Sequence, residues 1–165
     1  MSTTITREQE RWAILVRDPT FQDLPYKIET NARGQIILSP HSNRHSFVQD
    51  KIQALLRQHA PDGSTPPEFA IATPHGVKSP DVAWISPERR REMQETGDPT
   101  TLAPEICIEV LSASNTAEEM DDKRVIYFDA GAEEVWLIDL DGRIRFFGEK
   151  EMDGSVVVPG MPDRL

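Results

Sequence analysis

The sequence predicts a mixed α/β fold of the α+β kind, a central β-sheet flanked by helices, and three observations carry that prediction. Segments of helical and strand periodicity follow one another in the order α, ββ, α, several β, α, ββ. The run E-I-C-I-E-V-L, from Glu105 to Leu111, is rich in β-branched residues and apolar on both faces apart from Glu109, as a buried central strand requires. Asp141-Gly142, set between two apolar runs, is the strongest short hairpin signal in the chain.

Each element has its own local reason. Thr6 and Gln9 form an S/T-x-x-E/Q capping pattern, and Trp12, Leu15 and Val16 supply an apolar face, so a helix is expected from about Thr6 to Arg17. Tyr26–Thr30 and Gln35–Leu38 flank N-A-R-G and read as an extra N-terminal β-hairpin. Phe47, Val48, Ile52, Leu55 and Leu56 recur at helical spacing, predicting a helix from Ser42 or Asn43 to His59. The Pro-rich piece P-D-G-S-T-P-P is a loop. Strands are expected over Phe69–Thr73 and Val82–Ile85, with a short helix within Pro87–Thr101. Thr116 and Glu119 make a capping box for a helix ending near Gly131. Val135–Asp139 and Arg143–Phe147 form the Asp-Gly hairpin, and Val156–Val158 is expected as an edge strand.

The chain has 165 residues, 28% charged and 38% hydrophobic, which suits one domain over residues 1–165 and excludes wholesale disorder. No apolar run reaches the ~20 residues of a membrane span, so no membrane partner is expected. The N-terminus lacks a basic-then-apolar signal pattern, and a cytoplasmic location is the expectation. The single cysteine, Cys107, excludes an intramolecular disulfide and a multi-cysteine zinc site, and reads as a small core residue. The formal charge is −10. Residues 105–141 hold eleven acids against two bases, Lys123 and Arg124, so the rest of the chain is nearly balanced. No basic groove for nucleic acid is visible in that balance.

Chemistry concentrates at a few positions. Side chains alternate along a strand, so Glu109 shares a face with Cys107 and Leu111. A bare carboxylate there is costly to desolvate and needs a basic partner, a raised pKa or a metal ion. Asp81, in S-P-D-V-A-W, follows a proline that suits a strand start or edge, although Pro-Asp is also a turn signal.

Three stretches together, P-D-V-A-W at Asp81, A-P-E-I-C-I-E-V-L-S-A-S-N-T around Glu109, and D-D-K-R-V-I-Y-F-D-A-G-A-E-E-V-W-L-I-D around Lys123, resemble the Uma2 family within the PD-(D/E)-x-K nuclease superfamily. The E-V-L-S-x-S segment, the K-x-x-x-Y spacing and A-G-x-x-E-x-W-L-I-D are its specific parts, and the resemblance runs from about Tyr26 to Phe147. It implies a restriction-endonuclease-like core and metal-dependent hydrolysis of a phosphodiester in DNA. Asp81 and Glu109 match the two metal-binding carboxylates, and the Val110 carbonyl would complete the protein ligands. Hard oxygen donors suit Mg²⁺ or Mn²⁺. The superfamily places a lysine two residues after the glutamate, where this chain has Leu111. The family pattern moves it to Lys123, which would orient the attacking water or stabilise the pentavalent charge. A surface pair with Glu119, four residues earlier, is the plain alternative.

Glu29, in Y-K-I-E-T, matches an N-terminal glutamate of the family and is implied to hold a second metal or a water; a solvated strand residue is the other reading. His45 matches a histidine at the start of a family helix, with capping or surface exposure as alternatives. His41 and His45 have i,i+4 spacing but no evident third ligand, so a zinc site is not expected. Glu118, Glu119, Asp121 and Asp122 read as a solvated helix start. Phosphate contacts would come from Arg89, Arg90 and Arg91, with Arg44, Lys51 and Lys78 as further candidates. Two functions follow: a metal-dependent DNA endonuclease, acting as a homodimer where paired cuts are needed, or a non-catalytic binding or assembly module on the same fold.

Overall fold

In the computed structural model, which describes residues 2–165, helices pack on both faces of a mixed sheet. The helix α1 spans Thr3–Leu15 and starts earlier than the Thr6 pattern predicts. Ser2 is its N-cap, accepting from Ile5 N, and Gln9 is drawn away to donate to the carbonyls of Thr96 and Pro99. A 3-10 turn at Pro19–Phe21 leads into the antiparallel ribbon of β1 (Tyr26–Thr30) and β2 (Ile36–Pro40). The helix α2 runs over Asn43–His59 from Ser42, as its periodicity predicts.

A second small ribbon pairs β3 (Ile71–Thr73) with β4 (Gly76–Lys78); β4 is too short to signal itself in the sequence. Gly76 turns with φ +98°, and a Cβ there would run into the Thr30 carbonyl, so glycine lets β4 press against β1. The five-stranded sheet has the order β5 (Val82–Trp84), β6 (Ile106–Val110), β7 (Glu134–Ile138), β8 (Ile144–Phe147) and β9 (Glu151–Met152). The pair β6–β7 is parallel and the others are antiparallel. The helix α3 (Pro87–Gln94) follows β5, and α4 (Ala117–Asp129) makes the parallel crossover from β6 to β7 behind the Thr116–Glu119 capping box.

No strand forms at Val156–Val158. The backbone N–H groups of Val156 and Val157 donate to the Glu134 carboxylate instead of to a neighbouring strand. The two sheet faces carry separate cores. On one, Val48, Ile52 and Leu56 of α2 pack against Val82, Ile106, Ile108 and Trp136. On the other, Met120 and Tyr127 of α4 pack against Cys107, Val135 and Leu137. Among the described residues no helix is long and apolar enough to cross a membrane.

Candidate functional site

The sheet register brings the two sequence-distant carboxylates together. Val82 pairs with Ile108 and Ala83 with Cys107, so one further step along this antiparallel pair sets Asp81 opposite Glu109 on the face that α4 covers. Asp81 is anchored there by the Val110 N–H, which donates to Oδ2 at 2.8 Å. From α4, Lys123 and Tyr127, one helical turn apart, converge on Glu109 Oε1 at 3.1 and 2.6 Å. From β1, strand alternation points Lys27 and Glu29 the same way, into the interior.

The result is a closed set of alternating charges. Lys27 Nζ stands 3.0 Å from Asp81 Oδ1 and 3.2 Å from Glu109 Oε2. Lys123 Nζ stands 3.1 Å from both Glu29 Oε1 and Glu109 Oε1. Glu29 also accepts from Ser79 N at 2.8 Å. The Asp81 Oδ1 atom is buried, with the Lys27 ammonium at 3.0 Å as its nearest charged partner and no backbone donor. Three carboxylates and two ammonium groups leave this cluster one negative charge in excess before the histidines are counted.

The environment sorts the titration of these groups. Burial disfavours the Lys27 ammonium, but Glu109, Asp81 and Glu29 outweigh it and hold its pKa above the ordinary lysine value. Lys123 is raised against its own burial by Glu109 and Glu29. Asp81 is held below the ordinary carboxylate range despite burial, by His45, Lys27 and the Val110 N–H. Glu29 is lowered against burial by Lys123, Lys27 and the Ser79 N–H. Complete burial pushes Glu109 the other way, upward, against the pull of Lys123 and Lys27. The Tyr127 phenol is pushed well above its usual value by burial and by Glu109, so it remains a donor.

His41 and His45 stack with ring centroids 3.8 Å apart, and their Nε2 atoms stand 3.7 and 3.3 Å from Asp81 Oδ1 and Oδ2. Asp81 is therefore the third potential ligand that i,i+4 spacing alone did not reveal, and the three ligand atoms lie within 4.8 Å of one another. The cleft over these groups measures about 510 Å³ and is lined also by Ser112, Asn115 and Leu140. A larger cleft of about 760 Å³, beside Phe69 and Met93, contains none of these carboxylates, and chemistry rather than size singles out the smaller one. An unsatisfied buried carboxylate oxygen, net negative charge and mixed O and N donors fit a divalent cation.

The remaining sequence candidates fall elsewhere. Lys123 does not pair with Glu119, whose carboxylate closes the capping box instead. The Arg89 guanidinium is held by the carbonyls of Ala103 and Gly131 at 2.7 and 2.9 Å, and faces Glu133 at 3.4 Å. Those contacts explain it structurally and leave Arg90 and Arg91 as the exposed members of the run. Arg44 bonds the Leu140 carbonyl and Asp141, Lys51 is exposed on α2, and the buried Lys78 donates to the Thr30 carbonyl. Sequence reasoning missed Lys27 and the role of Tyr127. Each had a signal: Lys27 lies two residues before Glu29 in a strand, and Tyr127 lies four after Lys123 in a helix.

The sheet thus carries two buried carboxylates near one edge, met by a lysine from the crossover helix. The chain belongs to the Uma2 family, described as "Putative restriction endonuclease", which matches residues 18–157. Its fold is similar to that of a crystal structure from Anabaena variabilis described as a putative nuclease belonging to DUF820, with a TM-score of 0.57 and 19% identity over 78% of this chain and 76% of that one. No curated protein matches the chain.

Proposed function

We propose that this chain is a metal-dependent endonuclease that hydrolyses phosphodiester bonds in DNA. The observation that carries the reading is the convergence of Asp81, Glu109 and Lys123, from three separate elements, in one cleft. Asp81 and Glu109, with the Val110 carbonyl, would hold Mg²⁺ or Mn²⁺, and His41 and His45 add nitrogen donors that favour Mn²⁺. When bound, such an ion lowers the pKa of a coordinated water and neutralises charge on the phosphate. Glu29, also 3.1 Å from the Lys123 ammonium, helps Glu109 orient it. Lys123, fixed between them at the cleft wall, donates to the attacking water or to a phosphoryl oxygen as charge builds there. Cutting both strands of a duplex calls for two such sites, which a homodimer supplies.

The position of Lys27 between Asp81 and Glu109 favours a second reading, a non-catalytic module in which that ammonium stands permanently for the ion. One experiment separates the two: thermal melting with and without Mn²⁺, paired with cleavage of supercoiled, single-stranded and branched DNA. The endonuclease melts higher with Mn²⁺ and cleaves at least one of these substrates. In Lys123→Ala the metal-induced shift persists while single-turnover cleavage drops a hundredfold or more, the ~2.7–4 kcal/mol of one lost transition-state donor. Wild-type rates in Lys123→Ala would remove that residue from the mechanism, and a wild type unmoved by metal and inert on DNA would leave the module reading.

A further inference from the structure

The proposed chemistry gives Lys27 no task, yet it is a buried lysine held at the centre of the site. Its side chain is only 5% exposed, and its ammonium lies between the two carboxylates at 3.0 and 3.2 Å. Burying an ammonium is expensive unless it is paired, so a lysine persists here because two acids hold it. Those two acids are the ones assigned to the metal, and an ion they held would need the place that Lys27 occupies and would bring the charge compensation that Lys27 already supplies. The hold is also exchangeable. Lys27 is shared between two acids, Glu109 Oε2 at 3.2 Å and Asp81 Oδ1 at 3.0 Å, and is committed to neither. A lysine stem is long and flexible enough to swing its head into the adjoining cleft, which Lys27 itself lines.

We infer that Lys27 is the resident cation of the site: its ammonium fills the place between Asp81 and Glu109, and a divalent ion enters only by displacing it. The inference rests on the reading that Asp81 and Glu109 hold the ion. In the metal-free protein Lys27 keeps two buried acids compensated and the site assembled. Its cost is weaker metal binding, because each ion that enters must first expel a cation that is already paired.

The test is Mn²⁺ affinity, read by the electron paramagnetic resonance signal of free Mn²⁺ and by calorimetry, in wild type, Lys27→Gln, Lys27→Met and Lys27→Arg. Lys27→Gln and Lys27→Met should bind Mn²⁺ at least tenfold more tightly than wild type. Lys27→Arg, which keeps the charge, should bind no more tightly. A merely structural lysine gives the opposite sign, since its loss loosens the site and weakens the ion. Equal or weaker affinity in the neutral variants, with wild type still binding, overturns the inference and leaves the metal reading standing. No binding by any of the four proteins overturns both. If the neutral variants fold only with Mn²⁺ or not at all, two measurements still decide. Tighter Mn²⁺ binding by Lys27→Arg contradicts the inference. So does a wild-type Lys27 ¹⁵Nζ resonance that stays in place at Mg²⁺ concentrations that raise the melting temperature.

Discussion

Glu109 and Glu134 sit on adjacent parallel strands, are 3% and 2% exposed, and serve different ends. Glu134, at the start of β7, accepts from four neutral donors: Trp136 Nε1 at 2.7 Å, Ser155 Oγ at 2.8 Å, and the N–H groups of Val156 and Val157 at 2.7 and 2.9 Å. It spends its charge pinning the segment after β9 to the sheet. Glu109, near the other end of the same strand pair, is met by two lysines and a tyrosine beside an open cleft. A buried carboxylate therefore marks function only through its company. Neutral donors that belong to the fold's own segments define a structural joint; ammonium groups on flexible stems beside a cleft supply a charge that another cation could supply in their place.

The same substitution at both positions tests this contrast. In Glu134→Gln all four hydrogen bonds lose their charge assistance, and the NH₂ group, best placed on the Oε2 side where the Ser155 hydroxyl can turn to accept it, meets the Trp136 N–H head-on. We expect a loss of about 3 kcal/mol in urea unfolding, with no recovery in Mn²⁺. In Glu109→Gln the remaining charges balance as two pairs, Lys27 with Asp81 and Lys123 with Glu29. The new NH₂ also faces an ammonium, Lys27 on the Oε2 side, so metal-free stability should fall, but by less than in Glu134→Gln because the cluster's excess negative charge is removed. The stabilisation by Mn²⁺ should disappear, a loss of about 2.7 kcal/mol at a hundred times the wild-type dissociation constant. If Glu109→Gln unfolds as readily as Glu134→Gln, or if it retains the metal shift, the distinction between the two acids collapses.

What the sequence reveals and what it hides divides along the same line. The capping box of Thr116 and Glu119, the α2 periodicity and the Asp141-Gly142 hairpin are legible because each is settled within a few residues. Glu109 is legible as a problem, a charge in an apolar strand, but its solution lies on β1 and α4, up to 82 positions away. Spacing left Lys123 between Glu119 and the site, and the packing of α4 on the sheet, with Glu29 brought in from β1, decides it. Val156–Val158 misleads for the same reason: β-branched residues favour a strand, but the acceptor for their N–H groups is the carboxylate of Glu134. Ser2 preempts the Thr6 cap because it offers the first workable oxygen, and the side chain of Gln9 has partners 87 and 90 residues on.

The smallest expected effect applies the same contrast to the basic residues. Arg89 resembles Glu134: its guanidinium joins Ala103 and Gly131, tying α3 to the loop before β6 and to the end of α4. Arg91 is 69% exposed and faces Glu88 at 3.6 Å, a surface pair of little energetic weight, and Arg90 is exposed beside it. Arg89→Ala should therefore lower stability by about 1–2 kcal/mol through its abandoned carbonyls while leaving the salt dependence of DNA binding unchanged. The double variant Arg90→Ala, Arg91→Ala should shift stability by less than about 0.5 kcal/mol. It should weaken DNA binding irrespective of sequence and flatten the log–log salt slope by roughly 0.9 per lost phosphate contact. Measuring both proteins across a salt series assigns the run residue by residue. A flattened slope in Arg89→Ala with unchanged stability would make Arg89 the phosphate ligand after all, and an unchanged slope in the double variant would move the DNA surface away from α3.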